Sequence, residues 1–599
     1  MSSQSSADFE ATTPCPAKSP LLQQFPCKTL AAALLQGCND LLSELTAFQS
    51  HLSKLGKPNG VEFRQFKSVI QSELRSLQKL SEQVEVAAAE SEAQRRGYSD
   101  SHGKIYNEND GGDYEDVDED QELSDTEARL LHSLRSSNLP FYATVWNVSK
   151  TMCKNLVAFT RRFYWHERKG RNRLCATGQE DMVTHERYFR NLEIPDERAT
   201  KKKPVGTENA ADESLVKKSV LVDIVADNGE EWVKVSTVTP NRLLFELAKL
   251  GWEAGDSTSE LEEEDGFHNI RLQHDDDGDD SDDMVELVKL AVDLKKAAAM
   301  VRVRYKHPRI RFILPKIVEG QFPEVDKILQ DIRKIGVVVE CGTGSNDLFD
   351  NLAAGKPITR PLTPVPLEEV LPSILPNPYA HRTNILNVDC TLLLALVSDI
   401  SHIRDIDPSP SHHRAITRQI ELEAKQPLVP SELWPAMGDK DLVCTADAKE
   451  RMQEIVDTIG TETEKARTKL LLGEVDGVVD RAALLSQFQQ LSDHRVPMDW
   501  KIPIRVVDAR AEIQKAKEEG RLPKVARVIE SQLSDINTSV FFYGWASGLM
   551  TISSNRTVVK QIEALVEANR NGDDDLAGPN VWVCDTARSL VGKEHNKRY

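Results

Sequence analysis

The sequence lacks the features that mark membrane and secreted proteins. No run among its 599 residues approaches the roughly 18 uninterrupted apolar residues that a membrane-spanning helix needs, which argues against that class. The first 20 residues contain no basic stretch followed by an apolar one, so nothing there directs the chain into the secretory route. We therefore expect a cytoplasmic or nuclear protein, or one found in both compartments, with no membrane partner.

Closely spaced cysteines are also missing. The nine cysteines are scattered between Cys15 and Cys584, and no two of them form a Cys-x-x-Cys pair. This spacing argues against a disulfide framework and against a cysteine zinc site. Reduced thiols, most of them buried, are the expected state.

Negative charge is plentiful but concentrated in two segments. Residues 108–127 hold 11 acidic and no basic residues, and residues 256–283 hold 13 acidic residues and one basic residue, Arg271. Since the formal net charge is −20, the rest of the chain sums to about +3. The folded part is therefore nearly neutral, and the overall acidity does not indicate what it binds.

Helical periodicity dominates the N-terminal part of the chain. Leucine and phenylalanine recur at steps of three and four on either side of a turn at residues 56–60, which predicts an antiparallel helical hairpin. The same spacing returns after the first acidic segment and continues through Phe159 and Phe163, which predicts a third helix. These helices are one candidate surface for a protein partner.

The rest of the chain alternates between strand and helix signals. Residues 220–238 read as a strand, an Asn228-Gly229 turn and a second strand. Seven prolines in residues 357–378 predict a linker without regular structure. Strands separated by helices predict mainly parallel sheets. Beyond the hairpin, the predicted strands are 301–305, 310–314, 337–339, 385–388, 442–444, 504–507, 540–543, 549–552 and 581–583.

Several long stretches resemble one protein family. They are VLVDIVADNGEEWVKV, PRIRFILP, LNVDCTLLLALVSDIS, LVCTADAKERMQEIVDTIG and ETEKARTKLLL. They are similar to a eukaryotic family of unknown function whose C-terminal region is a PIN-like domain, the PilT N-terminus nuclease fold. The resemblance implies a Rossmann-like sandwich in which carboxylates at the strand ends hold Mg²⁺ or Mn²⁺ and cut single-stranded RNA.

With that resemblance, the expected fold class is α/β and multidomain. It comprises an N-terminal helical hairpin or bundle, a middle α/β unit and a C-terminal Rossmann-like, PIN-like α/β/α sandwich. The predicted segments are a disordered tail (1–26), a helical region (27–165) with a disordered acidic insert (97–127), a linker (166–216), an α/β unit (217–350) with an acidic loop (256–283), a Pro-rich linker (351–380) and the PIN-like domain (381–599).

By the same resemblance, Asp389 and Glu464 are the candidate catalytic and metal-binding acids. Asp389 ends the first strand of the C-terminal domain, where ligands bind in parallel sheets. Glu464 lies in a Glu-x-x-Arg motif with Arg467. Clustered carboxylates suit Mg²⁺ because it prefers oxygen ligands, and the ion can activate water for phosphodiester hydrolysis.

The acid set implied by the family is incomplete in this sequence. Trp545 follows Gly544 where similar proteins have an aspartate, and Asn555 occupies a position where active PIN nucleases often place an acid. Asp508, Asp535 or a substrate phosphate could still complete a metal site.

Each candidate acid also has a structural interpretation. Thr461 and Glu464 fit a capping box, in which a threonine and a glutamate exchange hydrogen bonds at the start of a helix. Asp389 precedes an apolar helix that its side chain could cap. Arg467 could form a helix-surface ion pair with Glu464.

A cationic stretch, MVRVRYKHPRIRFILP, offers a candidate nucleic-acid surface. In strand geometry its basic side chains alternate with apolar ones and share one face. The alternatives are a solvated sheet face or one neutralised by the acidic segments. The candidate nucleic-acid-binding residues are Arg302, Arg304, Lys306, Arg309 and Arg311.

Two functions remain open on the sequence. The missing acids favour a degenerate PIN-like protein that binds RNA, a ribonucleoprotein or a protein partner without catalysis. The alternative is a divergent Mg²⁺- or Mn²⁺-dependent endonuclease acting on single-stranded RNA through Asp389 and Glu464.

Overall fold

The computed structural model describes residues 26–57, 59–101, 125–168, 215–250, 284–342, 365–406, 413–475 and 480–591. These divide into two units. One unit contains the described residues within 1–48, 64–148 and 344–367, and the other those within 49–63, 149–343 and 368–599.

Helices form the N-terminal region, as the periodicity predicts. Apolar residues at three- and four-residue steps along the first helix, such as Leu34, Leu41 and Leu45, are buried. Among the described residues, no helix combines the length and apolarity needed to span a bilayer. The four helices are α1 (Pro26–Lys54), α2 (Arg64–Ser101), α3 (Asp125–Arg135) and α4 (Leu139–Met152).

A five-stranded mixed sheet follows, in the order β1-β2-β3-β4-β5. The first three strands are antiparallel neighbours, and β3, β4 and β5 are parallel. The predicted turn is present between β2 and β3, where Asn228 and Gly229 adopt φ values of 55° and 100°. The elements are β1 (Ala158–Arg168), β2 (Leu215–Ala226), β3 (Glu231–Val235), α5 (Pro240–Lys249), α6 (Glu286–Ala299), β4 (Arg309–Leu314), α7 (Pro323–Lys334) and β5 (Val338–Cys341).

The C-terminal residues build a second, fully parallel sheet in the order β10-β9-β6-β7-β8. Helices after α8 (Leu367–Ile374) connect its strands. The elements are β6 (Ile385–Val388), α9 (Cys390–Val397), α10 (Asp399–His402), α11 (Arg414–Lys425), α12 (Trp434–Met437), β7 (Asp441–Thr445), α13 (Ala446–Ile459), α14 (Glu462–Leu472), α15 (Arg481–Gln490), β8 (Arg505–Val507), α16 (Ala509–Glu518), α17 (Val525–Glu530), α18 (Asp535–Ala546), β9 (Met550–Ser553), α19 (Arg556–Ala568) and β10 (Val581–Val583).

Both faces of the second sheet are covered. Leu442 and Cys444 of β7 belong to one buried cluster, whereas Val443, between them, belongs to another. Because successive strand residues point to opposite faces, the helices must pack on both sides. The second sheet is therefore the middle layer of an α/β arrangement.

Three secondary-structure predictions are wrong. Phe159 and Phe163 lie in β1 rather than in a helix, because β1 pairs with β2 from Ala158 to Arg168. Residues 301–305 form a turn with a single bridge between Val303 and Lys306, not a strand. Residues 540–543 lie in helix α18, since a short apolar run fits a buried helix as well as a buried strand.

Helices and strands cross several of the predicted segment boundaries. Helix α2 extends to Ser101, past the expected start of the acidic insert, while residues 102–124 lie outside the described residues. Helix α8 lies within the proline-rich segment and contains Pro372. Burial of Leu371 and Ile374 offsets the hydrogen bond that Pro372 cannot donate.

The described cysteines are unpaired. All but Cys341 are buried, as expected for structural thiols.

Candidate functional site

Asp389 follows β6 at the carboxyl edge of the second sheet. It lies where the strand order reverses, since β6 has β7 on one side and β9 on the other. In parallel α/β sheets this reversal creates the crevice in which ligands bind. Asp389 itself is buried, with 3% of its surface exposed.

Hydroxyl groups surround the Asp389 carboxylate. Its Oδ2 accepts hydrogen bonds from Thr391 Oγ1 and Ser553 Oγ, both at 2.7 Å. Ser553 ends β9, the strand beside β6, so the two carboxyl ends meet side by side. Burial raises the pKa of Asp389, and these two hydroxyl bonds oppose that shift. We call Asp389, Thr391 and Ser553 the hydroxyl cluster.

The capping interpretation of Asp389 is not confirmed, although the backbone N–H groups of Cys390 and Thr391 at the start of α9 help to lower the pKa of its carboxyl. Asp389 occupies the N-cap position of α9, but its side chain accepts no capping hydrogen bond from that helix. Its carboxylate instead accepts hydrogen bonds from hydroxyl groups, and one of these belongs to Ser553, 164 residues later in the sequence.

Glu464 is fully buried in the first turn of α14. Its Oε2 accepts the Thr461 N–H at 3.0 Å, and Thr461 Oγ1 accepts the Glu464 N–H at 3.2 Å. The capping-box interpretation is therefore confirmed. Burial raises the pKa of Glu464, opposed by the bonds from the backbone N–H groups of Asp399 and Thr461.

The second oxygen of Glu464 is also occupied. Its Oε1 accepts the backbone N–H groups of Asp399 at 3.0 Å and Val591 at 3.1 Å. Glu464 thus satisfies three backbone donors from three separate segments. A buried backbone N–H without an acceptor is costly, so all three donors depend on this carboxylate.

Arg467 is buried and does not form the expected surface pair with Glu464. Only 1% of its surface is exposed, and its Nη1 lies 2.7 Å from Asp399 Oδ1. Its other donors bond the carbonyl oxygens of Val397 and Leu491. The threonines of the capping segment, Thr461 and Thr463, complete the shell around Asp399. We call Asp399, Thr461, Thr463, Glu464 and Arg467 the buried ionic cluster.

The segment after β10 is anchored beside this cluster. Val591 donates to Glu464, and Ser398 Oγ donates to the Ser589 carbonyl oxygen at 2.6 Å. Arg588 pairs with Glu423 at 2.6 Å, and both side chains are buried. The C-terminal segment is thereby tied to two buried carboxylates.

Helix α9 separates the hydroxyl cluster from the buried ionic cluster. Asp389 precedes its first residue, Cys390, and Asp399 follows its last residue, Val397, by two positions. At about 1.5 Å per residue, the eight residues of α9 place the clusters roughly 12 Å apart. The two candidate acids of the sequence thus lie at opposite ends of one helix.

Asp508 and Asp535, the two further acids that could complete a metal site on the sequence, are both exposed. Asp508 follows β8 and caps α16 by accepting the Arg510 N–H at 3.0 Å. Strands lie about 4.8 Å apart, so β8, two strands from β6, ends roughly 10 Å away. Across the described part of the chain, no group of three or more His, Cys, Asp or Glu side chains is placed to hold a metal ion.

Asp447 is an acid at this edge that the sequence analysis missed. It lies in the first turn of α13 directly after β7, the other neighbour of β6. Its Oδ2 accepts Ser539 Oγ at 2.6 Å, and Arg510 lies 3.4 Å from its Oδ1. The rule that selected Asp389, an acid just after a buried parallel strand, would also have found Asp447.

Gly544 is required for close packing between a helix and a strand. A Cβ at this position would lie 2.1 Å from Thr551 Oγ1. Helix α18 therefore approaches β9 as closely as a glycine permits. Trp545 is half-buried and packs edge-to-face on Phe542.

Four of the five candidate nucleic-acid-binding residues are engaged by the protein's own acids. Arg309 and Arg311 both pair with Glu231, and Arg311 also pairs with Glu340. Lys306 is exposed, and the turn that replaces the predicted strand breaks the shared face. The other two pairings are Arg302 with Glu567 and Asp574, and Arg304 with Glu230.

No solved structure matches the chain. The match to a known family covers every member of both clusters except Ser553, and it supports the expectation of an uncharacterised family. Residues 386–496 are similar to a family described as a protein of unknown function, DUF1308.

Proposed function

We propose that the second sheet and its helices form a PIN-like domain whose strand-end acids stabilise the fold, and that the protein is a non-catalytic scaffold for RNA or a protein partner. The observation that carries this proposal is the use of Glu464, whose two oxygens accept three backbone N–H groups. A carboxylate committed in this way has little capacity left for a metal ion.

The strand order supports the PIN-like assignment. Numbered along the chain, the second sheet runs 3-2-1-4-5, which is the order of doubly wound, Rossmann-like sheets. Asp389 follows strand 1, and Ser553 follows strand 4, at the reversal point. In this position a nuclease would present acids, whereas this chain presents one acid and hydroxyls.

The distance between the clusters supports the absence of a shared metal site. Mg²⁺ binds oxygen ligands at about 2.0–2.1 Å, so two carboxylates on one ion lie within a few ångströms of each other. Helix α9, roughly 12 Å long, lies between Asp389 and the cluster that contains Glu464. A site built on Asp389 would need other acids, and Asp447 is the acid that follows the adjacent strand.

The ion pairs of the cationic stretch indicate that its arginines, like the strand-end acids, stabilise the fold. Arg302 and Arg304 lie on the turn that follows α6, and their partners Glu567, Asp574 and Asn580 belong to the segment from α19 to β10. These contacts join the first sheet to the second, and binding RNA there would require breaking them. A protein partner on α1 and α2 remains a prediction.

The test combines metal binding and cleavage. Purified wild-type protein and Asp389→Asn are melted with and without millimolar Mn²⁺ and incubated with a single-stranded oligoribonucleotide. We expect the same small Mn²⁺ effect on both melting temperatures and no metal-dependent cleavage. Cleavage by the wild type that disappears in Asp389→Asn would replace the scaffold by the endonuclease.

A further inference from the structure

Strands β1 and β2 form a two-stranded ribbon that continues beyond the rest of the first sheet. They pair from Ala158 with Val225 to Arg168 with Leu215, whereas β2 pairs with β3 only over Ile224–Ala226. Among the described residues, those of the ribbon after Phe159 therefore have no third strand beside β2.

One face of this ribbon is buried. Phe163 stacks on Trp232 with ring centroids 3.8 Å apart, and Trp165 is 3% exposed. The cross-strand residues on that face, Val220 and Val222, are buried in the same cluster. Helix α6 packs against both strands. The alternation of a strand then sends the intervening side chains to the opposite face.

The opposite face is exposed and cationic. Arg162, Lys217 and Ser219 are exposed, and Tyr164 is 37% exposed. Arg162 Nη1 donates to Ser219 Oγ at 3.2 Å, and Lys217 Nζ lies 4.1 Å from the centroid of the Tyr164 ring. We call Arg162, Tyr164, Lys217 and Ser219 the ribbon face.

The basic residues of the ribbon face differ from the arginines between Arg302 and Arg311, which form ion pairs with carboxylates. Among the described side chains, no carboxylate lies within ion-pair distance of Arg162 or Lys217, whereas four arginines of the other stretch each have an acidic partner. The sequence strengthens the positive potential here. Strand β1 itself holds Arg161, Arg162 and Arg168 against one acid, Glu167.

We propose that the ribbon face binds the backbone of single-stranded nucleic acid. Register places Arg162 and Lys217 four residues apart along the ribbon, or roughly 13 Å between their Cα positions, with Tyr164 midway. Cations that contact phosphates, with an aromatic ring between them on which a base can stack, are the parts of a sequence-tolerant single-strand site. An acidic peptide would satisfy the two cations but would make no use of the ring.

This inference rests on the RNA-binding part of the proposed function and gives it a site, but it concerns the first sheet and does not depend on the acids of the second. The two proposals can therefore fail separately.

The test is fluorescence anisotropy with a labelled oligouridylate of about 15 nucleotides, titrated at several salt concentrations. The full chain is compared with the double variant Arg162→Glu/Lys217→Glu. Losing two phosphate contacts should weaken binding by about tenfold or more and reduce the salt slope by about 1.4. Far-ultraviolet circular dichroism and a thermal melt check that the variant is folded. If it is not, Arg162→Gln/Lys217→Gln takes its place with the same expected direction.

The matched control is Arg505→Glu/Lys515→Glu, which makes the same charge change at two exposed residues of the second sheet's domain. It should bind nearly as the wild type does. An equal loss in both double variants would mean a nonspecific charge effect and would overturn the proposal. So would a wild type that does not bind, or a ribbon variant that binds unchanged.

Tyr164→Leu separates stacking from charge. It should lower affinity while leaving the salt slope unchanged, because no phosphate contact is lost. A polyglutamate peptide should compete more weakly than an oligouridylate of equal charge. If the peptide competes better, the ribbon face is a protein-binding surface and the nucleic-acid proposal is wrong.

Discussion

The two ends of helix α9 hold buried acids in different ways. At its start, Asp389 accepts hydrogen bonds from two hydroxyls, Thr391 and Ser553. Past its end, Glu464 accepts three backbone N–H groups, and Asp399 pairs with buried Arg467. A hydroxyl can rotate to another acceptor, whereas a backbone N–H and a buried guanidinium cannot. The buried ionic cluster is therefore the more structural of the two.

The sharpest test of this comparison is Arg467→Ala. Removing one partner of a buried ion pair leaves the Asp399 carboxylate without its cation, so the free energy of unfolding should fall by about 3–5 kcal/mol. Urea denaturation measures the change. Arg451→Ala is the control, because its pair with Glu454 is exposed and should contribute less than about 0.5 kcal/mol. Equal effects of the two variants would contradict the structural role of Arg467.

A smaller loss is expected from Glu464→Gln. The glutamine amide keeps one acceptor oxygen, but its NH₂ group replaces the other and faces a backbone N–H that then has no acceptor. This should lower the free energy of unfolding by about 1–2 kcal/mol. Glu462→Gln in the same helical turn is exposed and serves as the control. A neutral effect of Glu464→Gln, measured by the same denaturation, would mean that its carboxylate charge is not needed for the fold.

The smallest effect is expected from Asp389→Asn. The hydroxyls of Thr391 and Ser553 can still donate to the remaining oxygen, so the change near pH 5 should be below about 1 kcal/mol. A loss as large as that of Arg467→Ala would remove the contrast between the two ends of α9. Urea denaturation again provides the measurement.

The pH dependence of the same pair of proteins gives a further check. Burial raises the pKa of Asp389 above its unfolded value of about 3.9, so the folded wild type holds this proton more tightly than the unfolded chain does. The contribution of Asp389 to stability is therefore full below pH 4 and declines as pH rises through the raised pKa. Asn cannot titrate, so the stability of Asp389→Asn relative to the wild type should improve over that range. A constant difference between pH 3 and pH 7 would contradict the raised pKa.

Local signals predicted part of this molecule well. The capping box needs only Thr461 and Glu464, three residues apart, and the hairpin turn needs only Asn228 and Gly229. Both depend on backbone geometry within a few residues, so a sequence pattern can identify them. The strand-end position of Asp389 was predictable for the same reason, since a short apolar run precedes it.

Contacts between distant segments account for the rest. Residues 301–305 alternate as a strand would, but Arg304 and Tyr305 adopt φ values of 50° and 70° in a turn that packs beside Gly578. Most ion-pair and hydrogen-bond partners of Arg467 and of the cationic stretch lie 68 or more residues away in the sequence. Asp399, the partner of Arg467, and Glu567, a partner of Arg302, are examples. The periodicity of a sequence does not indicate which distant residues will pair. The arginines that were expected on the surface are therefore buried or form ion pairs between distant segments.

The anchored C-terminal segment determines how the protein responds to loss of its last residues. A premature stop codon after Cys584 would delete Arg588 and Val591 together, so the buried carboxylate of Glu423 would lose its cation and Glu464 would lose one of its three backbone donors. The shortened chain would retain every strand of both sheets yet spend more time unfolded, which exposes it to cellular proteases. A nonsense mutation there should lower the amount of protein in a cell far more than the few missing residues suggest.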